Sequence, residues 1–155
     1  MSVIIKEVLT KKDLKIFIQF PFKIYQGNKY WVPPLIFDEL KTLLKDKNPA
    51  FDFCEAKYWL AYKDNRLAGR IAGIINEKYI KIWKHKYARF GWVDFIDDAE
   101  VSKPFLTQWK IGLKKTAWKA FRGLSVLRIL TKKACLLKAL TSLAQWPVYI
   151  IILIM

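Results

Sequence analysis

The sequence predicts an α+β fold in the order β-α-α-β-β-α-β, followed by the start of a further helix, with a mainly antiparallel sheet. Three observations carry this expectation. Short runs rich in β-branched and aromatic residues alternate apolar and polar positions, as half-buried strands do. Apolar stripes at helical spacing follow residues that cap helices. Asp64-Asn65 separates two strand-like runs closely enough to form a hairpin.

Ser2–Val8 is the first expected strand. Thr10, with Asp13 three residues on, resembles a capping box ahead of KKDLKIFIQF. Leu14, Phe17, Ile18 and Ile24 continue the helical stripe through Tyr25, with Pro21 marking a break or kink, and Gln26-Gly27-Asn28 ends it. Tyr30-Trp31-Val32-Pro33-Pro34 is a stiff connector, and Pro34 suits the first turn of a second helix over 34–45. Leu35, Leu40, Leu43 and Leu44 are its expected inward face, with Asp38, Glu39 and Lys41 in water.

Ala56–Lys63 is expected as a strand, with Tyr58, Leu60 and Tyr62 on its apolar face, and Leu67–Asn76 as its partner. Gly69 and Gly73 there permit a bulge or a close backbone approach. A short helix over Glu77–Lys86, a strand over Tyr87–Ile96 and a helix start at Asp97-Asp98-Ala99-Glu100 complete the order. Acids at that start match the positive end of the helix dipole.

Charge divides the chain more sharply than hydropathy does. All 13 acidic residues lie between Glu7 and Glu100, whereas Val101–Met155 contains ten Lys or Arg and no acid. At ordinary usage, roughly one residue in eight, an acid-free run of that length should arise less than about once in a thousand chains. The net charge of +15 therefore belongs mostly to the tail. Read at face value, the tail offers a basic amphipathic helix or a C-terminal anchor over Ala139–Met155, and hence a small membrane-associated protein. Nucleic-acid binding is disfavoured because no recognised motif accompanies the charge. Cys54 and Cys135 suit two reduced thiols. The N-terminus carries no signal-peptide pattern, so a cytoplasmic location is expected.

No catalytic constellation stands out. His85 is the single histidine and suits a solvated helix end better than a catalytic base. Asp94, Asp97 and Asp98 flank a strand end and a helix start, where capping is the favoured role. The Gly69 and Gly73 pair lies inside a strand, so it is no phosphate loop, and no metal site is expected.

Four stretches carry a resemblance: YWVPPLIFDEL at 30–40, KDKNPAFDFCEAKYWLAYKD at 45–64, GRIAGIIN at 69–76 and KYARFGWVDFIDDAEVSK at 86–103. Together they resemble a group of bacterial GNAT-like (acyl-CoA N-acyltransferase) proteins, from residue 3 to residue 103. The resemblance implies transfer of an acyl group from acetyl-CoA or another acyl-CoA to a small-molecule amine. It also implies that the fourth strand meets the pantetheine arm and that a Gly-rich loop at the next helix takes the pyrophosphate. Val93, Asp94 and Phe95 are the residues that this places against a cofactor. IDDAEVSK, however, carries acids and no glycine where that loop belongs, so this half resembles a degenerate GNAT domain.

Members of the group are more than twice as long, with two GNAT-like halves, and continue past the equivalent of Lys103 with an acidic amphipathic helix. This chain departs from them where its acids stop. A reading frame moved by one base would cause that, because Asp and Glu codons lose their leading G and read mostly as Lys, Thr, Ile, Ser or Asn. Codons permitted for Lys103 onward can be chosen so that the window one base earlier opens AFFDTVEDWAKENG, an acidic amphipathic helix. The single-codon residues Trp109, Trp118 and Trp146 all allow the continuation. The chain is thus expected to hold a truncated GNAT-like domain over residues 1–102 and an aberrant, basic, helical tail over residues 103–155. The expected function is that of an N-acyltransferase fragment, inactive as this chain.

Overall fold

The computed structural model describes residues 3–84, 87–114 and 120–123. Its elements are β1 (Val3–Glu7), α1 (Lys11–Ile24), α2 (Ile36–Leu43), β2 (Cys54–Lys63), β3 (Arg66–Asn76), α3 (Glu77–Trp83), β4 (Tyr87–Phe95), α4 (Ala99–Lys114) and β5 (Ala120–Gly123). The expected order holds throughout. The sheet order is β1-β2-β3-β4-β5. The first four strands are antiparallel neighbours, and β5 runs parallel to β4.

Local signals set the element ends. Thr10 Oγ1 accepts from the Asp13 N–H at 3.1 Å, and the Thr10 N–H donates back to Asp13 Oδ2 at 3.2 Å, which completes the capping box of α1. At the hairpin, Asp64 (φ +49°) and Asn65 (φ +62°) both adopt the left-handed conformation that a two-residue turn between twisted strands requires. Asn76 caps α3 by accepting from the Tyr79 N–H at 2.8 Å.

The sheet is covered on both faces. Tyr58 and Leu60 of β2 and Ala72 of β3 pack with Leu14, Phe17 and Ile18 of α1 and Leu43 of α2. Trp59 and Ala61 of β2, with Ile71 and Ile75 of β3, face the other way against Val101, Phe105 and Leu106 of α4. Alternation explains this arrangement, since successive side chains of a strand point to opposite faces. At Gly69, α4 comes close against the sheet. A Cβ there would lie 3.1 Å from Phe95 Cβ and 3.2 Å from the Phe105 ring, so the expected close approach is real.

Three expectations need correction. Leu35 points outward and is 71% exposed, because α2 begins only at Ile36 and Leu35 precedes its first turn. Pro34 likewise lies ahead of that helix, and Pro49–Asp52 adds a short 3-10 turn that the pattern did not announce. Within the tail, α4 runs unbroken through Lys103 to Lys114, but Ala120–Gly123 is a strand, not a helix. Pairing there satisfies main-chain groups along the β4 edge that would otherwise lack partners. His85, Cys135 and the candidate anchor over Ala139–Met155 lie outside the described residues. Among those described, no helix is long and apolar enough to cross a membrane.

Candidate functional site

The site grows from an irregularity in β4. Between the pairs Arg70–Asp94 and Ala72–Gly91, β4 holds one residue more than β3, which makes a β-bulge. Trp92 occupies it at φ +48°, a left-handed conformation that costs a bulky residue about 1 kcal/mol or more. Its indole Nε1 donates to Glu39 Oε2 on α2 at 2.7 Å. The bulge thus ties β4 to the α1–α2 side of the sheet.

A second irregularity faces it. Pro21 sits inside α1 and has no N–H to give the carbonyl of Phe17, one turn back. The Arg70 guanidinium takes that place, with Nη1 donating to Phe17 O at 2.9 Å while the group stands over the Phe17 ring. Arg70 Nε donates to Asp94 Oδ2 at 2.7 Å, and the Tyr25 hydroxyl donates to Asp94 Oδ1, also at 2.7 Å. Both members of the ion pair are 7% exposed. A buried pair survives only when further hydrogen bonds satisfy each partner, and here they do.

These residues border a cavity of about 120 Å³. Pro21, Tyr25, Trp31, Pro34 and Glu39 come from α1, α2 and the connector between them. Arg70, Trp92, Val93 and Asp94 come from β3 and β4. Trp31 is held in place by Tyr25 at 5.3 Å between ring centroids and by Phe22 at 5.1 Å, edge to face. A second, wider hollow lies between the β1–α1 turn and the end of α2, but Val8, Leu14, Leu43, Leu44 and Phe51 give it a largely apolar wall. Its buried Tyr58 hydroxyl is already committed to Leu43 O at 3.0 Å, and burial raises its pKa.

The start of α4 is handled differently. Asp98 Oδ1 accepts from the Glu100 N–H at 2.8 Å, and Asp98 O accepts from the N–H groups of Val101 and Ser102. Lys63 Nζ donates to Asp98 Oδ2 and, at 2.8 Å, to Glu100 Oε2. These hydrogen bonds hold the Asp98 carboxyl below the usual range, with Lys63 the first cause, and raise the Lys63 pKa. The positive end of α4 is therefore filled by the chain's own carboxylate. A pyrophosphate does not fit there.

Of the residues that the resemblance placed against a cofactor, Val93 and Asp94 border the cavity, with Val93 also in the α4-side core. Phe95 does not border it and packs over Gly69 instead. The capping role expected for the acids holds for Asp98 and fails for Asp94, which is buried against Arg70 24 residues away in sequence. Tyr25, Trp31, Glu39, Arg70 and Trp92 were not anticipated. The available signal was a charged residue inside each of two apolar strands, Arg70 in GRIAGII and Asp94 in FGWVDFI. Cys54 is half-buried, and burial raises its pKa, which keeps it a thiol.

No protein-family profile matches the chain. Protein YghO of Escherichia coli (strain K12) is 36% identical over 98 residues, which is 63% of this chain and 25% of YghO. The match thus spans a quarter of that relative. A tandem GNAT protein from the clavulanic acid biosynthesis pathway superposes with a TM-score of 0.65 at 9% identity, over 91% of this chain and 43% of its own. A predicted acetyltransferase from Clostridium acetobutylicum, solved with acetyl-CoA, gives a TM-score of 0.54 at 9% identity, over 80% of this chain and 81% of its own. Likeness at such low identity establishes architecture. The fold is GNAT-like.

Proposed function

We propose, starting from the GNAT-like fold, that residues 1–102 form one half of an N-acyltransferase that carries an acyl group from acyl-CoA to a small-molecule amine. Alone, this half does not catalyse the transfer. The acyl-CoA part rests on the likeness to acetyltransferases. The inactive part rests on one observation, the carboxylates at the start of α4. In a GNAT fold that helix end supplies N–H groups to a pyrophosphate, whereas here Asp98 and Glu100 line it and would repel one. Any pantetheine contact would fall on Val93, Asp94 and Phe95.

Calorimetric titration of the full chain with acetyl-CoA tests this reading. The expected outcome is no saturable binding, and a saturable isotherm would overturn it. Residues 103–155 are proposed to be an out-of-frame translation that begins near an adenine run at Ser102-Lys103. Sequencing the gene across that point decides the matter. An intact run, with no in-frame continuation of the family downstream, removes the idea.

A further inference from the structure

The cavity between α1, α2 and the β4 bulge has a charge balance that a structural void would not need. Arg70 and Asp94 cancel each other, and Asp94 has an oxygen on Arg70 and the other on Tyr25. Glu39 has no such counterpart. Its Oε2 is held by the Trp92 indole, and among the described residues no Lys or Arg pairs with it and no donor meets its Oε1. The wall therefore carries one uncompensated negative charge, partly shielded from water. Around it stand the aromatic residues Tyr25, Trp31 and Trp92.

That combination selects among ligand classes. An anion would meet two carboxylates, and the buried Arg70 is already committed to Asp94 and Phe17 O. A divalent metal wants several oxygen ligands, and of the two carboxylates here one is already spent on Arg70. A small organic cation satisfies both features, since aromatic rings attract it through their quadrupoles and Glu39 neutralises it. We propose that this cavity is a recognition site for a small alkylammonium ion, bound without acyl-CoA. The Trp92 bulge is a positioning element, because its indole fixes the carboxylate that faces the ligand.

The test is calorimetric titration of the full chain with choline chloride and, separately, with 3,3-dimethylbutan-1-ol, the uncharged carbon isostere of choline. Acetyl-CoA is absent throughout, so the result is independent of the acyl-CoA titration above. Choline should bind saturably and at least about tenfold more tightly than the alcohol. Glu39→Gln should remove most of that difference, and Trp31→Leu should weaken choline several-fold while leaving the alcohol nearly unchanged. Equal binding of choline and the alcohol, no choline binding to a cooperatively melting chain, or unchanged choline binding by Glu39→Gln each overturns the proposal. Should either variant fail to melt cooperatively, the choline–alcohol comparison on the unaltered chain decides.

Discussion

Asp94, on β4, and Asp98, in the turn after it, lie four residues apart, yet the clusters they join, Arg70–Asp94–Tyr25 and Lys63–Asp98–Glu100, handle charge in opposite ways. The first is buried, with both members of the ion pair 7% exposed, and neutralises itself so that β3, β4 and α1 can meet. The second is less deeply buried, with Lys63 16%, Asp98 25% and Glu100 66% exposed, and its two carboxylates, bridged by Lys63, set the sign of a helix end. Burial decides what each can do. A buried ionic group dictates geometry, because an unpaired charge there is intolerable, whereas an exposed one mainly decides which ions are welcome nearby.

The comparison breaks most readily at Asp94. Asp94→Asn leaves the Arg70 charge buried without its partner and should cost about 3–5 kcal/mol in denaturant unfolding. The double change Arg70→Met with Asp94→Leu should recover most of that loss, since apolar replacement of a buried pair is often neutral or better. A cost below about 1 kcal/mol for Asp94→Asn would erase the distinction between the clusters. Next comes Tyr25→Phe. It deletes one charge-assisted hydrogen bond to Asp94 and should cost about 1.5–3 kcal/mol by the same measurement.

The Lys63 cluster should respond least, and mainly to pH. Asp98 has a lowered pKa, so its stabilising contribution is complete above the ordinary carboxylate value of 3.8 and disappears as pH falls through the lower folded value. Asp98→Asn should therefore lower the melting temperature modestly near neutrality, leave it nearly unchanged at low pH, and so flatten part of the acid-side fall. Asp13, lowered first by its hydrogen bond to Thr10, should still account for a remaining slope. Lys63 behaves with the opposite sign. Its raised pKa means that its contribution is complete below the ordinary lysine value of 10.5 and is lost as pH rises through the higher folded value. Lys63→Met should remove an alkaline loss of stability in thermal melts and leave the Asp94 effects untouched.

Features that depend on neighbours in sequence were legible there. The Thr10–Asp13 capping box, the Asp64-Asn65 turn and the alternation of β2 all report local geometry, and each is present. The cavity was not legible, because its contacts join distant positions. Tyr25 and Asp94 are 69 residues apart, and Trp92 and Glu39 are 53 apart. Leu35 misled for a related reason. Helical periodicity placed it on the inward face, but where α2 begins is settled by the stiff connector before it. Asp94 was grouped with the capping acids because it sits near them in sequence, and only the pairing of β3 with β4 separates them.

Pro21 carries a consequence for how the fold opens. The carbonyl it leaves without a helical partner leads through Arg70 to Asp94 and through Tyr25 back to the same helix, so α1, β3 and β4 form a closed circuit of hydrogen bonds. A circuit of this kind resists coming apart one link at a time, because any single break leaves a buried charged group short of a hydrogen-bond partner. Amide protons in α1 and in the paired segments of β3 and β4 should then exchange with deuterium through one shared opening event, while those of α3 exchange earlier and independently. A helix-breaking residue would in this way weld its helix to the sheet as a single cooperative unit.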